Sequence, residues 1–525
     1  MRELRMKLTC TFILSGDAEE AKRDLEEFVE QANQELLVKG APAKGRDEAS
    51  KITSWELSGS TLRMTIESGP YVRAPAAILR IRKALVPILG KKFRIGIRDI
   101  KVGDFTVSWR AGAPIPASVV DELRKIPGVD DARVDGDRVT VALSSLTYQE
   151  LKQAIPDRVV DLAQSTVERA VKPPPPPTKA LPIVRVGKPK PVKFSRDPAE
   201  VAVELGWVKE FPGRGQWIYT TPYAKLFEAI KSVLLREVVH KLGFQPFLLP
   251  KLIPLEVMER MPGYLDDIPE GMYYVCPPPR EPEAFDEFKK LFKVRRKAPR
   301  EVLKGIIKDP AYVLAPAQCE PFWYFYGGET FRVEDMPFKY YDCSGWTYRW
   351  EGGGVEGLVR VQEFQRIELT YVGTPEQVVE IRDSIVDRCV EVADEILDLE
   401  WRVVAAIPFY MREGEIAVDV HDSWNVPAYD VEIYLPYRGP REEAEWLEVA
   451  GCFVHKRKFV DAFKIREVKN REIWTGCTGL GLSRWVAAFL AEHGFNPDDW
   501  PSEIREAFGE YSIPRGLSWP RGEGA

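Results

Sequence analysis

Tyr348-Arg349-Trp350-Glu351, a glycine loop at Gly352 to Gly354, then Gly357-Leu358-Val359-Arg360-Val361-Gln362-Glu363-Phe364-Gln365-Arg366-Ile367-Glu368 read as two antiparallel strands around a flexible turn. Side chains two residues apart share a face of a strand. Arg349 and Glu351 therefore point one way, and Arg360, Gln362, Phe364, Arg366 and Glu368 share one face of the return strand. Guanidinium forks hold phosphates and a flat ring stacks on a base, so this face suits a nucleotide. An exposed ribbon laced with salt bridges would carry similar residues, so the hairpin is weighed with the segments around it.

A chain of 525 residues is long enough for two to four domains and a large core. With 45% hydrophobic and 29% charged residues its composition is globular. No run of about 18 apolar residues occurs, which argues against a transmembrane helix and a membrane partner. Met1-Arg2-Glu3-Leu4-Arg5 lacks the apolar core of a signal peptide, and a cytoplasmic location is expected. The net charge of -6 means that a nucleic acid must be met by a local patch. Seven scattered cysteines, an odd number, argue against a disulfide framework and leave metal ligation or plain burial. Scarce asparagine with abundant Glu, Arg and Pro is compatible with a thermophilic source.

Residues 1-170 alternate strand and helix periods. Arg5 to Leu14 reads as a strand, and Asp17 to Lys39 as a helix with Leu25, Phe28, Val29, Ala32 and Leu36 on one stripe. A hairpin turns at Gly59-Ser60 and another at Asp135-Gly136-Asp137. No catalytic cluster stands out, so this is expected to be an α+β binding domain. Five prolines, Pro173 to Pro177, centre a basic linker over 171-196. Its charges read either as a solvated spacer or as a segment lying near phosphates. From 197 to 525 comes a larger domain. It begins with a helix over Tyr223 to Leu242 and a strand that ends in Pro250. Val378 to Ala406 reads as an inserted helical hairpin, with Ile381, Ile385, Cys389, Val392, Ile396 and Leu399 at buried spacing. Near the end, Thr475-Gly476-Cys477-Thr478-Gly479-Leu480-Gly481-Leu482-Ser483-Arg484 is a glycine-rich approach to an apolar helix.

The Arg-x-Glu, loop, Arg-x-x-x-Phe hairpin resembles motif 2 of the class II aminoacyl-tRNA synthetases. The long helix and strand to Pro250 resemble motif 1, which builds the dimer interface in that family. The glycine turn with Arg484 resembles motif 3. Tyr429-Asp430-Val431-Glu432-Ile433-Tyr434-Leu435-Pro436 and Trp446-Leu447-Glu448-Val449 are similar to the acidic strand pair of seryl-tRNA synthetases. Leu314-Ala315-Pro316-Ala317-Gln318-Cys319-Glu320-Pro321 falls where class II enzymes recognising serine or threonine carry a substrate loop. By themselves Cys319 and Cys477 read most simply as small buried hydrophobes. The rare methanogenic, archaeal type of seryl-tRNA synthetase, however, uses a Cys, Glu, Cys zinc site at the positions of Cys319, Glu368 and Cys477. It also has an α+β N-terminal domain in place of a coiled-coil arm, and no sustained heptads precede residue 170. The resemblance spans essentially the whole chain.

The resemblance implies an α+β class II fold with an antiparallel catalytic sheet, and a ligase that activates serine with ATP and transfers it to tRNA(Ser). It implies Arg349, Arg360 and Arg484 as catalytic phosphate ligands, with Glu351 and Phe364 at adenine. Glu448 would hold magnesium, Glu320 and Glu432 would bind substrate, and Cys319, Glu368 and Cys477 would hold one zinc for the serine amino group. A homodimer is implied by motif 1. The alternatives are a threonyl-type enzyme or an amino-acid-activating paralogue. Threonyl enzymes use one cysteine and two histidines, and His240, His421, His455 and His493 lie outside the matching motifs. Ala450-Gly451-Cys452 departs from the serines and asparagine of ordinary seryl enzymes, which leaves the further magnesium contacts open.

Overall fold

The computed structural model describes residues 2–171, 182–352, 354–411, 422–513, 516 and 519–520. The five-proline run, Gly353 and His421 lie outside the described residues. The chain divides into two units, Met1–Thr178 and Lys179–Ala525. No helix among the described residues is long and apolar enough to cross a membrane.

The first unit is an antiparallel sheet in the order Lys51–Ser58, Thr61–Ser68, Arg2–Leu14, Ile97–Arg110, Arg138–Leu143, Val129–Asp135, with Leu146–Thr147 added to Ile97–Arg110. Period-two alternation drives it. Leu4, Met6, Leu8, Cys10, Phe12 and Leu14 are all buried beneath Ala74–Phe93 and its neighbours, while Arg5 and Lys7 face out. The first helix departs from expectation. It is regular only over Lys22–Gln31 and passes into a π turn over Ala32–Leu36. The wider turn shifts the stripe by one residue, so Leu37 is buried where Leu36 was expected to be.

The second unit holds an eight-stranded sheet. Its order is Gln245–Pro246, Phe338–Asp342, Ile367–Gly373, Trp474–Leu480, Leu447–Lys456, Ala428–Ile433, Trp401–Ala406, Ile183–Val186. Every pair is antiparallel except the first, where Gln245–Pro246 runs parallel to Phe338–Asp342. Thr221–Leu234, Pro375–Glu391 and Leu482–His493 supply the apolar helices of its core.

Two sequence expectations need correction here. Residues 378–406 are not a helical hairpin. One helix, capped by Thr374 and Gln377, ends past a π turn at Asp398, whose φ of 50° stops it. Trp401–Ala406 then forms a sheet strand with both faces covered. A strand buried on both faces has no alternation to read, and its apolar run continued the helical stripe. The linker is also shorter than 171–196. Ile183–Val186 is the edge strand beside Trp401–Ala406. Arg185 pairs with Asp387, Lys190 with Asp394 and Asp398, and Lys193 with Asp398. Those charges are spent on this unit's own carboxylates.

Candidate active site

The strand Ile367–Gly373 lies between Phe338–Asp342 and Trp474–Leu480, with Glu368 opposite Asp342 on one side and Gly479 on the other. Cys477 rides the second neighbour, and Cys319 immediately precedes the helix Glu320–Tyr326. The ligand atoms of Cys319, Glu368 and Cys477 all lie within 4.8 Å of one another, and all three residues are buried. Among the described residues the Glu368 carboxylate is in ion-pair contact with the Arg366 guanidinium at 2.5 Å.

The electrostatics of this cluster ask for a cation. Burial lifts the Glu368 carboxyl to about 7, although the Arg366 guanidinium opposes the rise. The hydrogen bond to Cys319 and burial hold the Cys477 thiol well above its ordinary range. The same contact favours the Cys319 thiolate, but burial and the Glu368 and Glu320 carboxylates outweigh it and push that thiol up as well. Two sulfurs and one carboxylate fit a borderline-soft divalent ion such as zinc, with a position left for a ligand.

Two adjoining cavities lie beside one another here, and Cys319 and Cys477 line the second. One, of about 100 Å³, is lined by Arg349, Glu351, Arg360, Phe364, Glu448, Ser483 and Arg484, beside Gly479 and Gly481. The other, of about 250 Å³, is lined by Cys319, Cys477, Asp430, His455 and an aromatic wall of Tyr264, Phe409, Tyr410, Phe453 and Phe459. Arg349, Arg366, Glu448 and Gly479 border both. Gly479 is needed for space, because a Cβ there would meet the Arg366 guanidinium at 3.1 Å.

Within the first cavity the cations differ. Arg484 donates to the Glu448 carboxylate at 3.1 Å and to the Glu448 carbonyl. Arg360 reaches Glu445 only at 3.8 Å. Among the described residues Arg349 makes no side-chain hydrogen bond or ion pair. Gln362, expected on the same face, turns away. Its Oε1 accepts from Tyr273 and from the Glu351 backbone and so braces the hairpin.

Two expected substrate residues lie outside the cavities. Glu320 is buried beneath its loop, where Oε1 accepts from Ala317 N–H at 2.8 Å, so it holds the loop and does not line the chamber. Glu432 is paired with Arg402 at 2.6 Å across the neighbouring strand, and Asp430, two residues earlier, faces the chamber instead. Burial, followed by Glu448 and Glu432, lifts the Asp430 carboxyl well above its usual range.

Glu448 reaches the same face as Gly451 and Phe453 through a register slip. Val431 pairs with Ala450, but Glu432 pairs with Glu448, which leaves Val449 as the extra residue of a bulge. A second slip passes over His455 on the side of Trp474–Leu480. Sequence reading missed Asp430, His455 and the aromatic wall. The only available signal was a histidine two residues beyond Phe453, inside an apolar strand. Burial pushes that imidazole down to about 3, so it is neutral.

Comparison with known proteins closes the description. A family model described as a tRNA-binding domain matches residues 4–165. Another, the tRNA synthetase class II core domain (G, H, P, S and T), matches residues 305–493. The type-2 serine–tRNA ligase of Methanopyrus kandleri is 42% identical over 533 residues, covering 99% of this chain and 100% of that one. The type-2 enzyme of Methanocaldococcus jannaschii is 42% identical over 540 residues, covering 98% and 99%. The crystal structure of M. kandleri SerRS in complex with A. aeolicus tRNASec superposes with a TM-score of 0.81 at 42% identity, over 99% of this chain and 100% of that one.

Proposed function

The chain belongs to the type-2 serine–tRNA ligases, which are class II aminoacyl-tRNA synthetases, and from that premise we propose how its own residues divide the work. Serine is activated with ATP and passed to tRNA(Ser). The serine carboxylate attacks the α-phosphate in line, and pyrophosphate leaves. The terminal adenosine hydroxyl of the tRNA then attacks the activated carbonyl, and AMP leaves. Such phosphoryl chemistry needs positioning and charge neutralisation more than a protein nucleophile.

The Arg349 guanidinium, without a side-chain partner among the described residues and on the wall shared by the two cavities, is the observation that carries this reading. It holds the α-phosphate at the point where serine and ATP meet. Phe364 stacks on adenine, and Glu351 takes the adenine edge or the tRNA end. Arg360 and Arg484 clamp the γ-phosphate. Arg484 then exchanges its bond to Glu448 for phosphate oxygens, which frees that carboxylate for magnesium. Cys319, Glu368 and Cys477 would hold one zinc ion, which when bound supplies a Lewis-acid contact for the serine amino group. One methyl in a pocket is worth only roughly 1–3 kcal/mol, so anchoring one end of serine lets the chamber size the other against threonine.

The first unit grips the long variable arm of the tRNA, two copies of the chain pair through the helix that starts near Tyr223 and the segment that ends at Pro250, and the enzyme works in the cytoplasm. Elemental analysis of the purified protein and of Cys477→Ala, with serine- and threonine-dependent ATP–pyrophosphate exchange on both, tests the reading. One zinc per chain, lost together with serine-dependent exchange in the variant, is the expected result. A metal-free protein that still activates serine would overturn the zinc assignment.

A further inference from the structure

His455 lies on the strand Leu447–Lys456 at the point where its ladder with Trp474–Leu480 slips. The side chain is 1% exposed. Phe459 packs on the ring at 4.3 Å between centroids, and the edges of Trp323 and Tyr410 close the other sides. Nε2 stands 3.4 Å from the Cys477 sulfur, and Nδ1 stands 3.2 Å from the Thr475 hydroxyl. The group of mutually close ligand atoms comprises Cys319, Glu368 and Cys477 and does not include His455. The imidazole therefore sits one shell outside the proposed metal position.

We propose that His455 is a positioning residue for the metal centre, donating Nε2–H to the Cys477 thiolate while the Thr475 hydroxyl, donating to Nδ1, fixes the tautomer. The inference rests on the zinc reading given above and adds to it the group that orients one ligand. A buried thiolate is poorly solvated, so a donor aimed at it stabilises the anion that binds metal. It also draws charge from the sulfur and lowers covalency toward the metal. Thr475 and Cys477 are two residues apart on one strand and so share its face, which lets a single ring bridge them. A purely packing role for His455 would need the ring and neither nitrogen.

The test compares the full-length protein with His455→Leu, His455→Gln and Thr475→Val. Zinc affinity is measured by competition with a chromophoric chelator. The cobalt-substituted proteins are read by their sulfur-to-cobalt charge-transfer bands. His455→Leu is expected to weaken zinc about 10–100-fold and to move the band to lower energy. His455→Gln, which keeps an N–H near the Nε2 position, is expected to retain most of the affinity. If His455→Leu does not fold, Thr475→Val settles the matter, because losing the tautomer lock moves the band in the same direction. Wild-type affinity and an unmoved band in the folded variants overturn this inference alone. A wild-type protein that binds neither metal overturns the zinc reading and this inference with it.

Discussion

The Arg366 guanidinium stands 2.5 Å from the Glu368 carboxylate, although a break in the strand at Arg366 separates them. Glu368 is wholly buried, and the same guanidinium donates to the Ala317 carbonyl in the loop that delivers Cys319. One cation therefore braces two parts of the Cys319, Glu368 and Cys477 cluster.

Above pH 7, where Glu368 is ionised, removing that cation leaves a buried carboxylate uncompensated. Arg366→Met is expected to destabilise the metal-free protein by roughly 3 kcal/mol in urea unfolding. Added zinc should restore part of the loss, because it neutralises the same carboxylate. Equal midpoints for variant and wild type without metal would show that Arg366 is not needed there.

The metal site should also respond to pH. With Glu368 at about 7 and both thiols pushed up, the free ligands hold protons at neutral pH, and binding must expel them. Zinc affinity is expected to fall as pH drops from 8 to 6, with roughly two to three protons released per ion at pH 7. Calorimetry in buffers of different ionisation heat measures the number, and no proton release would contradict thiol ligation.

Arg484 offers a kinetic test. A charge-assisted bond to phosphate is worth about 1.5–3 kcal/mol, so Arg484→Ala should cost about 10–100-fold in kcat/KM for ATP in pyrophosphate exchange. Arg484→Lys should recover only part of this, because an ammonium lacks the guanidinium fork. An unchanged kcat/KM in the alanine variant would remove Arg484 from the phosphate site.

Away from the site, Glu492 is buried on Leu482–His493, and its Oε1 accepts from Glu400 N–H at 2.9 Å. Burial raises its carboxyl from 4.5 to about 8, against the opposing hydrogen bond from the Glu400 backbone. The folded state thus keeps a proton that the unfolded chain has lost, and stability falls as pH rises from about 4.5 to 8. Glu492→Gln is expected to stabilise the protein by roughly 2 kcal/mol at pH 8 and to change little at pH 5, as read from Tm at the two pH values.

The alternating strands of the first unit were legible because each buries one face, and the Arg-x-Glu hairpin placed Arg349, Glu351, Arg360, Phe364 and Arg366 along one cavity. Trp401–Ala406 was not legible, because a strand covered on both sides lacks a period. Cys319, Glu368 and Cys477 lie far apart in the chain and follow no zinc-finger spacing, so only resemblance joined them before the sheet did. Glu432 lies outside the cavities because it pairs with Arg402 on Trp401–Ala406, a strand whose apolar run continues a helical stripe. His455 was set aside for the matching reason: nothing in the order of residues says that it faces Cys477.

The bulge at Val449 gives Leu447–Lys456 two phases: the outer part presents even-numbered side chains to the cleft and the inner part odd-numbered ones. A regular ladder through the same residues would instead set Glu448, three positions before Gly451, on the opposite side of the sheet. Catalytic competence would then be lost with the sheet intact. The length of this segment, counted to the single residue, is thus as much a part of the active site as any side chain in it.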